Sequence, residues 1–297
     1  MSEDRLTFET EARRQIVETK VTCPFLGSAV QQEILPVRGA TDNPLAKIED
    51  VRELGNTGAG SDLGDLLIVF AQGNHGFMRG ASETLDQRVP EGLFSLELPG
   101  SQGSHPGHSG ILEGDPRTLG SGRLSQENFA RLEMQAKEGL LTWTGVSTFI
   151  AQNLQRDPNA KIKINMSMVA GLLARDLADV LKSTVPVVIG AFFDSAQTKA
   201  MADRTLQEKL TKLLGEDNLV GSSGEFGLLF AFLANSPRTQ VLANEPALSL
   251  SDVRGMFVDK RLPDGWKDWK KSRFDWVGHT AYLLRWAHQE LQRLSAG

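Results

Sequence analysis

The chain has one cysteine in 297 residues. That count excludes an internal disulfide, a zinc site built from several cysteines and C-x-x-C-H haem attachment. Positive charge is also short: 32 Lys and Arg against 37 Asp and Glu leave a net charge of −5. Nucleic-acid binding wants a basic patch, and this balance gives it no support. No apolar run reaches the length of a membrane-spanning helix. The first twenty residues, "MSEDRLTFETEARRQIVETK", hold no apolar h-region, which reads as no signal peptide. The expectation is a cytoplasmic protein, or a secreted one if this is a mature form. Among catalytic motifs there is no Gly-rich loop ending in Lys-Ser/Thr, no strand followed by G-x-G-x-x-G, no H-E-x-x-H and no nucleophile elbow.

What remains is largely helical. "LSQENFARLEMQAKEG" has Ser125 as N-cap, Phe129 and Leu132 on one face, and Gly139 as a stop. "WTGVSTFIAQNLQRDP", "VAGLLARDLADVLKS", "DRTLQEKLTKLLG", "SSGEFGLLFAFLANSP" and "LSLSDVRGMFVDKRLP" follow. The last helix, "SRFDWVGHTAYLLRWAHQELQRL", carries an apolar stripe of Trp276, Tyr282, Leu283, Trp286 and Leu291. "TVPVVIGAFF" is the only convincing β-type run. Residues 1–60 read as mixed, with turns at "RGATDNP" and "GNTGAGSD" and a short helix following from Ser61 or Asp62; residues 97–123 read as one long Gly/Ser/Pro-rich loop. No linker divides the chain. The expectation is a mainly α single domain over residues 1–297.

Three constellations could carry chemistry. Cys23 precedes a proline in "CPFLGSAVQQEILPVRG". Alone, such a thiol is most often a small buried hydrophobe. It is also a thiolate ligand in waiting, because a helix starting at "FLGSAV" would aim backbone N–H groups at a negative sulfur. Glu113 and Asp115 flank Gly114 in "EGD", either a solvated turn or a site for a hard divalent cation such as Mg²⁺. His105 and His108 in the same loop have H-x-x-H spacing for a transition metal. Glu225 is the only acid in the apolar "SSGEFGLLFAFLA". It is either a general acid–base group, its pKa raised by the apolar wall, or a first-turn charge beside a Ser222 or Ser223 cap.

Taken together these segments resemble the haem-thiolate peroxidase family of fungal chloroperoxidase and the unspecific peroxygenases. That family shows C-P-x-L followed by L-P-x-x-G, matched from Cys23 to Gly39. It then shows E-G-D or E-H-D (here Glu113 to Asp115), a G-E pair in an apolar helix (Gly224-Glu225), and a C-terminal segment close to "MFVDKRLPDGW" (Met256 to Trp266). The resemblance implies a helical chloroperoxidase-like fold enclosing haem b, with Cys23 as the iron's proximal ligand. It implies Glu113 and the Gly114 carbonyl as holders of Mg²⁺. It implies Glu225 as the acid–base residue that moves a proton between the two oxygens of hydrogen peroxide. Phe226, Leu228, Phe230 and Phe232 would wall the pocket, or be plain helical core. The implied activity is peroxide-driven oxidation, hydroxylation or halogenation of a small, apolar organic substrate.

The match has departures. Thr22 stands for the family's first proline, and Asn218 stands where peroxygenases with E-G-D carry an Arg seven residues before the Glu. Gly114 occupies the slot of the E-H-D histidine, and "PRTLGS" interrupts the usual cation-site serine. Two alternatives therefore stand beside the first. One is a haem-thiolate protein without efficient peroxide turnover (a sensor, isomerase or dehydratase). The other is a helical interaction protein in which Cys23 is core.

Overall fold

Helix α2, Pro24–Gln31, is buried along residues 24 to 30. A helix apolar on every side has to sit inside the molecule. Pro24 occupies its first position, where the missing N–H costs nothing, and Cys23 is its N-cap residue, extended at φ −77° and ψ 118°. The computed structural model describes residues 10–21, 23–59, 93–96, 110–113, 123–157, 160, 218–269 and 276–296.

Among these the elements run α1 Thr10–Thr19, α2, β1 Arg38–Ala40, β2 Asn43–Lys47, α3 Ile48–Ala59 and β3 Leu93–Ser95. They continue with α4 Gln126–Glu133, β4 Leu140–Thr142, α5 Trp143–Arg156 and α6 Asn218–Leu233. Last come β5 Gln240–Leu242, β6 Glu245–Ser249, α7 Leu250–Phe257, a 3₁₀ turn Trp266–Asp268 and α8 Trp276–Ser295. The protein is mainly α. No helix among the described residues is long and apolar enough to cross a membrane.

Helix α8 packs broadly on both α6 and α5. The α6–α8 seam is tight because Gly227 has no side chain: a Cβ there would lie 2.2 Å from Thr280 Oγ1 and 3.1 Å from Thr280 N. Gly227→Ala is therefore expected to pry the helices apart and to cost about 1–3 kcal/mol, read as a lower melting temperature. Thr280→Ala in the same chain should restore part of the loss, because it removes the nearest clashing atom.

Two small antiparallel sheets brace the helices, in the orders β1-β2-β3 and β4-β6-β5. β5 and β6 form a hairpin whose turn, Ala243-Asn244, holds both residues at positive φ (52° and 64°). That left-handed pair matches the twist of the strands. β4 pairs with β6 in the register Leu141↔Leu248 and hands the chain to α5, where Thr142 accepts from Gly145 N at 3.1 Å as N-cap.

Several sequence expectations need correction. Six short strands occur among the described residues, against the single β-type run expected from the sequence; "TVPVVIGAFF" itself lies outside them. Ser125 does cap α4, accepting from Asn128 N, but the helix ends at Glu133, six residues before Gly139. Residues 137–140 instead make a tight reversal with Glu138 and Gly139 at positive φ, which starts β4. α1 was not foreseen, and α3 runs through Gly55 and Gly58, where a turn was expected. Of the expected loop 97–123 only residues 110–113 and 123 are described, and Leu112 pairs with Leu124, just past it, in a β-bridge.

Candidate functional site

Three of the segments singled out in the sequence meet around α2. Ser28 Oγ lies 2.7 Å from Pro24 O and 3.2 Å from Met256 O, the latter a carbonyl in the last turn of α7 that lacks a helical partner. Gln32 Oε1 accepts from Leu262 N at 2.8 Å. Phe25 sits edge-on to Phe232 of α6 (centroids 5.0 Å apart) and to Trp266 (6.2 Å), and Phe232 also contacts Trp266 at 6.5 Å. The "CPFLGSAV" helix, the Glu225 helix and the "MFVDKRLPDGW" segment thus share one aromatic junction. Edge-to-face pairs of this kind add about 0.5–1.5 kcal/mol each beyond buried area.

Cys23 is partly exposed and packs against the core. Burial of its sulfur pushes the thiol up from 9.0 to about 11. The nearby backbone N–H groups of Leu26 and Phe25 pull the other way without forming a capping hydrogen bond to the sulfur, while the charge of Glu225 pushes it up again. Two consequences follow. The sulfur stands at the N-terminus of α2 as expected, beside first-turn N–H groups that make no capping bond to it. Glu225 is also near enough to act on it electrostatically.

Because the folded thiol titrates above the unfolded one, its contribution to stability is intact below pH 9 and fades as pH climbs toward 11. In haem-free protein, the reaction of Cys23 with a disulfide reagent should therefore quicken up to about pH 11. A stopped-flow pH profile that levels off below pH 9 would contradict this environment.

Glu225 is buried, at 9 % exposure. The first-turn alternative fails: α6 begins at Asn218, so Glu225 lies about two turns inside the helix. Ser222 and Ser223 are mid-helix and fully buried, not caps. Phe232 lies seven residues after Glu225 and so shares its face, the face that meets Phe25 of α2. Ser222, three residues before Glu225, is on that face too, and its Oγ has no hydrogen-bond partner among the described residues. A buried hydroxyl left so costs about 1–3 kcal/mol. Just beside Glu225, Gly224 O accepts from Trp276 Nε1 of α8 at 2.9 Å, which ties this part of α6 to α8.

The residues expected to ring Glu225 are chiefly core. Phe226 meets Phe149 of α5 at 5.9 Å, Phe230 stacks on His279 of α8 at 5.7 Å, and Phe232 joins the aromatic junction; Leu228 is partly buried.

Glu113 stands apart from the junction. It is half-exposed, its N–H donates to Arg123 O at 2.8 Å, and its carboxylate is 3.8 Å from Arg123 Nε. Gly114, Asp115, His105 and His108 lie outside the described residues. No group of three or more His, Cys, Asp or Glu side chains suited to a metal occurs among the described residues. The described residues thus give Glu113 a cationic neighbour and no second ligand.

A polar and aromatic cluster at the start of α5 escaped the sequence reading. Trp143 Nε1 donates to His279 Nδ1 at 3.0 Å, and Tyr282 Oη donates to Glu245 Oε1 at 2.9 Å. The only legible hint was the i, i+4 spacing of Tyr282 and Trp286. No protein-family model, curated protein or solved structure matches this chain.

Proposed function

We propose that this chain is a haem-thiolate oxidoreductase that uses hydrogen peroxide to oxidise, hydroxylate or halogenate a small apolar substrate. One observation carries the reading: three of the four segments of the resemblance converge, bringing Cys23, with the Phe25 and Leu26 N–H groups beside its sulfur, within electrostatic reach of Glu225. The residues fit haem b on two counts. The sulfur has donors able to hold a negative charge, and Ser222 Oγ on the face of Glu225 is a buried polar atom without a protein partner among the described residues.

In this reading Cys23 gives up its proton to become the iron's ligand, as coordinating thiols do. The Phe25 and Leu26 N–H groups hold the thiolate's charge. When bound, the haem supplies the redox centre, and a thiolate ligand favours O–O cleavage. Glu225 takes a proton from one peroxide oxygen and returns it to the other. Its burial shields that proton transfer from bulk water. A Mg²⁺ ion at Glu113 and the Gly114 carbonyl is a separable part of the proposal, and it would take Arg123's place beside the carboxylate.

The test is a titration of haem-free protein with ferric haem. The expected result is saturation at one haem per chain, with Cys23 protected from thiol reagents at saturation. Haem uptake that leaves Cys23 reactive, or no uptake, would overturn the reading. Asn218 in place of an Arg and Gly114 in place of a His favour the second reading, a haem-thiolate protein without efficient turnover. Stopped-flow mixing of the loaded protein with peroxide separates the two.

A further inference from the structure

Three aromatic side chains run from a partly buried position to the surface between α5 and α8. Trp143 lies 4.1 Å from Tyr282, ring centre to ring centre, and Tyr282 lies 5.8 Å from Trp286, with the rings of the two pairs tilted by 33° and 34°. Trp286 is 40 % exposed, an unusual place for a large apolar ring. At its less exposed end the partly buried Trp143 rests against Phe230 at 6.3 Å, which is on the Glu225 helix but about 140° around it from Glu225.

The cluster also has its proton acceptors in place. Tyr282, the only tyrosine in the chain, donates its phenolic hydrogen to Glu245 at 2.9 Å. Burial would raise the Glu245 carboxyl, but Thr144 bonds it through both backbone N–H (2.9 Å) and hydroxyl. With the bonds from Tyr282 and Thr142 the balance falls below the usual value, so Glu245 is a carboxylate. It lies at the N-terminus of α5, where the helix dipole favours an anion. Burial and this carboxylate push the Tyr282 phenol up, so it stays protonated until oxidised. The Trp143 indole proton likewise faces a base, His279 Nδ1, at 3.0 Å. Loss of an electron makes a phenol or indole strongly acidic. A base within about 2.6–3.2 Å is the geometry that lets the proton leave with it.

We propose that Trp143, Tyr282 and Trp286 form a redox relay, with Glu245 as the proton acceptor of Tyr282, that serves a second, surface site for one-electron oxidation of phenol- or arylamine-type donors at Trp286. The inference rests on the proposed peroxide chemistry for its oxidant, a peroxide-derived one-electron oxidant in the interior. That oxidant takes one electron from Trp143, which is refilled from Tyr282 as the phenolic proton passes to Glu245. The surface donor returns an electron through Trp286, and Glu245 returns the proton to Tyr282. Each transit turns one phenol into a phenoxyl radical with release of its proton. Two transits supply the two electrons that reduce one hydrogen peroxide to two waters.

The relay can be tested without haem or peroxide, so its failure and that of the peroxidase reading are distinguishable. Azide radicals from pulse radiolysis oxidise exposed indoles. The expected result is decay of the indolyl absorbance with a matching rise of phenoxyl absorbance. The rise should be first order, independent of protein concentration and slower in D₂O than in H₂O. Trp286→Phe should remove most of its amplitude, and Glu245→Gln should slow it by about a hundredfold. A phenoxyl rise that scales with protein concentration, shows no solvent isotope effect, or is unmoved by both substitutions would overturn the proposal. The isotope comparison uses the unaltered chain, so it decides even if a variant fails to fold.

Discussion

Glu225→Gln in the haem-loaded protein is expected to slow the reaction with hydrogen peroxide by about 10²- to 10⁴-fold, the usual worth of a general acid–base group. Glutamine keeps the size and polarity of the side chain, so the loss isolates proton transfer. Glu225 lies about two turns inside a helix that is buried along residues 219–227. It has no role as a helix-end charge for the substitution to disturb. Haem content and the melting temperature should stay close to those of the parent. Stopped-flow absorbance under excess peroxide checks the rate. A Gln variant that reacts as fast as the parent would remove Glu225 from the chemistry and leave it a buried polar group of α6.

Cys23→Ala carries the other large effect: complete loss of the thiolate signature from the spectrum of the haem-loaded protein, and with it most haem retention. The substitution removes the sulfur that stands beside the Phe25 and Leu26 N–H groups. The fold should tolerate the change, because α2 is held by Phe25, Ser28 and Gln32 and not by the thiol. Its Cys23 side chain makes no capping bond to the helix. A variant that keeps the parent's spectrum would show that the iron, if bound, has another ligand.

The start of α2 was legible in the sequence; much of the fold around it was not. The α2 start could be read because Pro24 is at home at a helix's first position and Cys23 just before it. The position of Glu225 within its helix could not. Ser222 and Ser223 look like caps, yet apolar Leu219 and Val220 draw the helix start back to Asn218, and Gly227 lets α8 approach. Short strands such as Leu140–Thr142 give too few residues for an alternating pattern. Gly55 and Gly58 hid α3, whose turn signal is overridden by buried Val51 and Leu54. On α8 the stripe was half right. Trp276, Leu283 and Leu291 are buried, whereas Tyr282 and Trp286 turn to a second face. What binds them there, Trp143 and Glu245, is more than 35 residues away in sequence, and such pairing leaves no local trace.

The proposed function stands on Cys23 as a thiolate ligand to haem iron. The measurement that meets it most directly is the absorption spectrum of the reduced, carbon monoxide-bound protein, expressed with ample haem. The expected result is a Soret band displaced to the red of that of a histidine-ligated haem protein. A Soret band at the histidine position, or a protein that stays colourless, would contradict it.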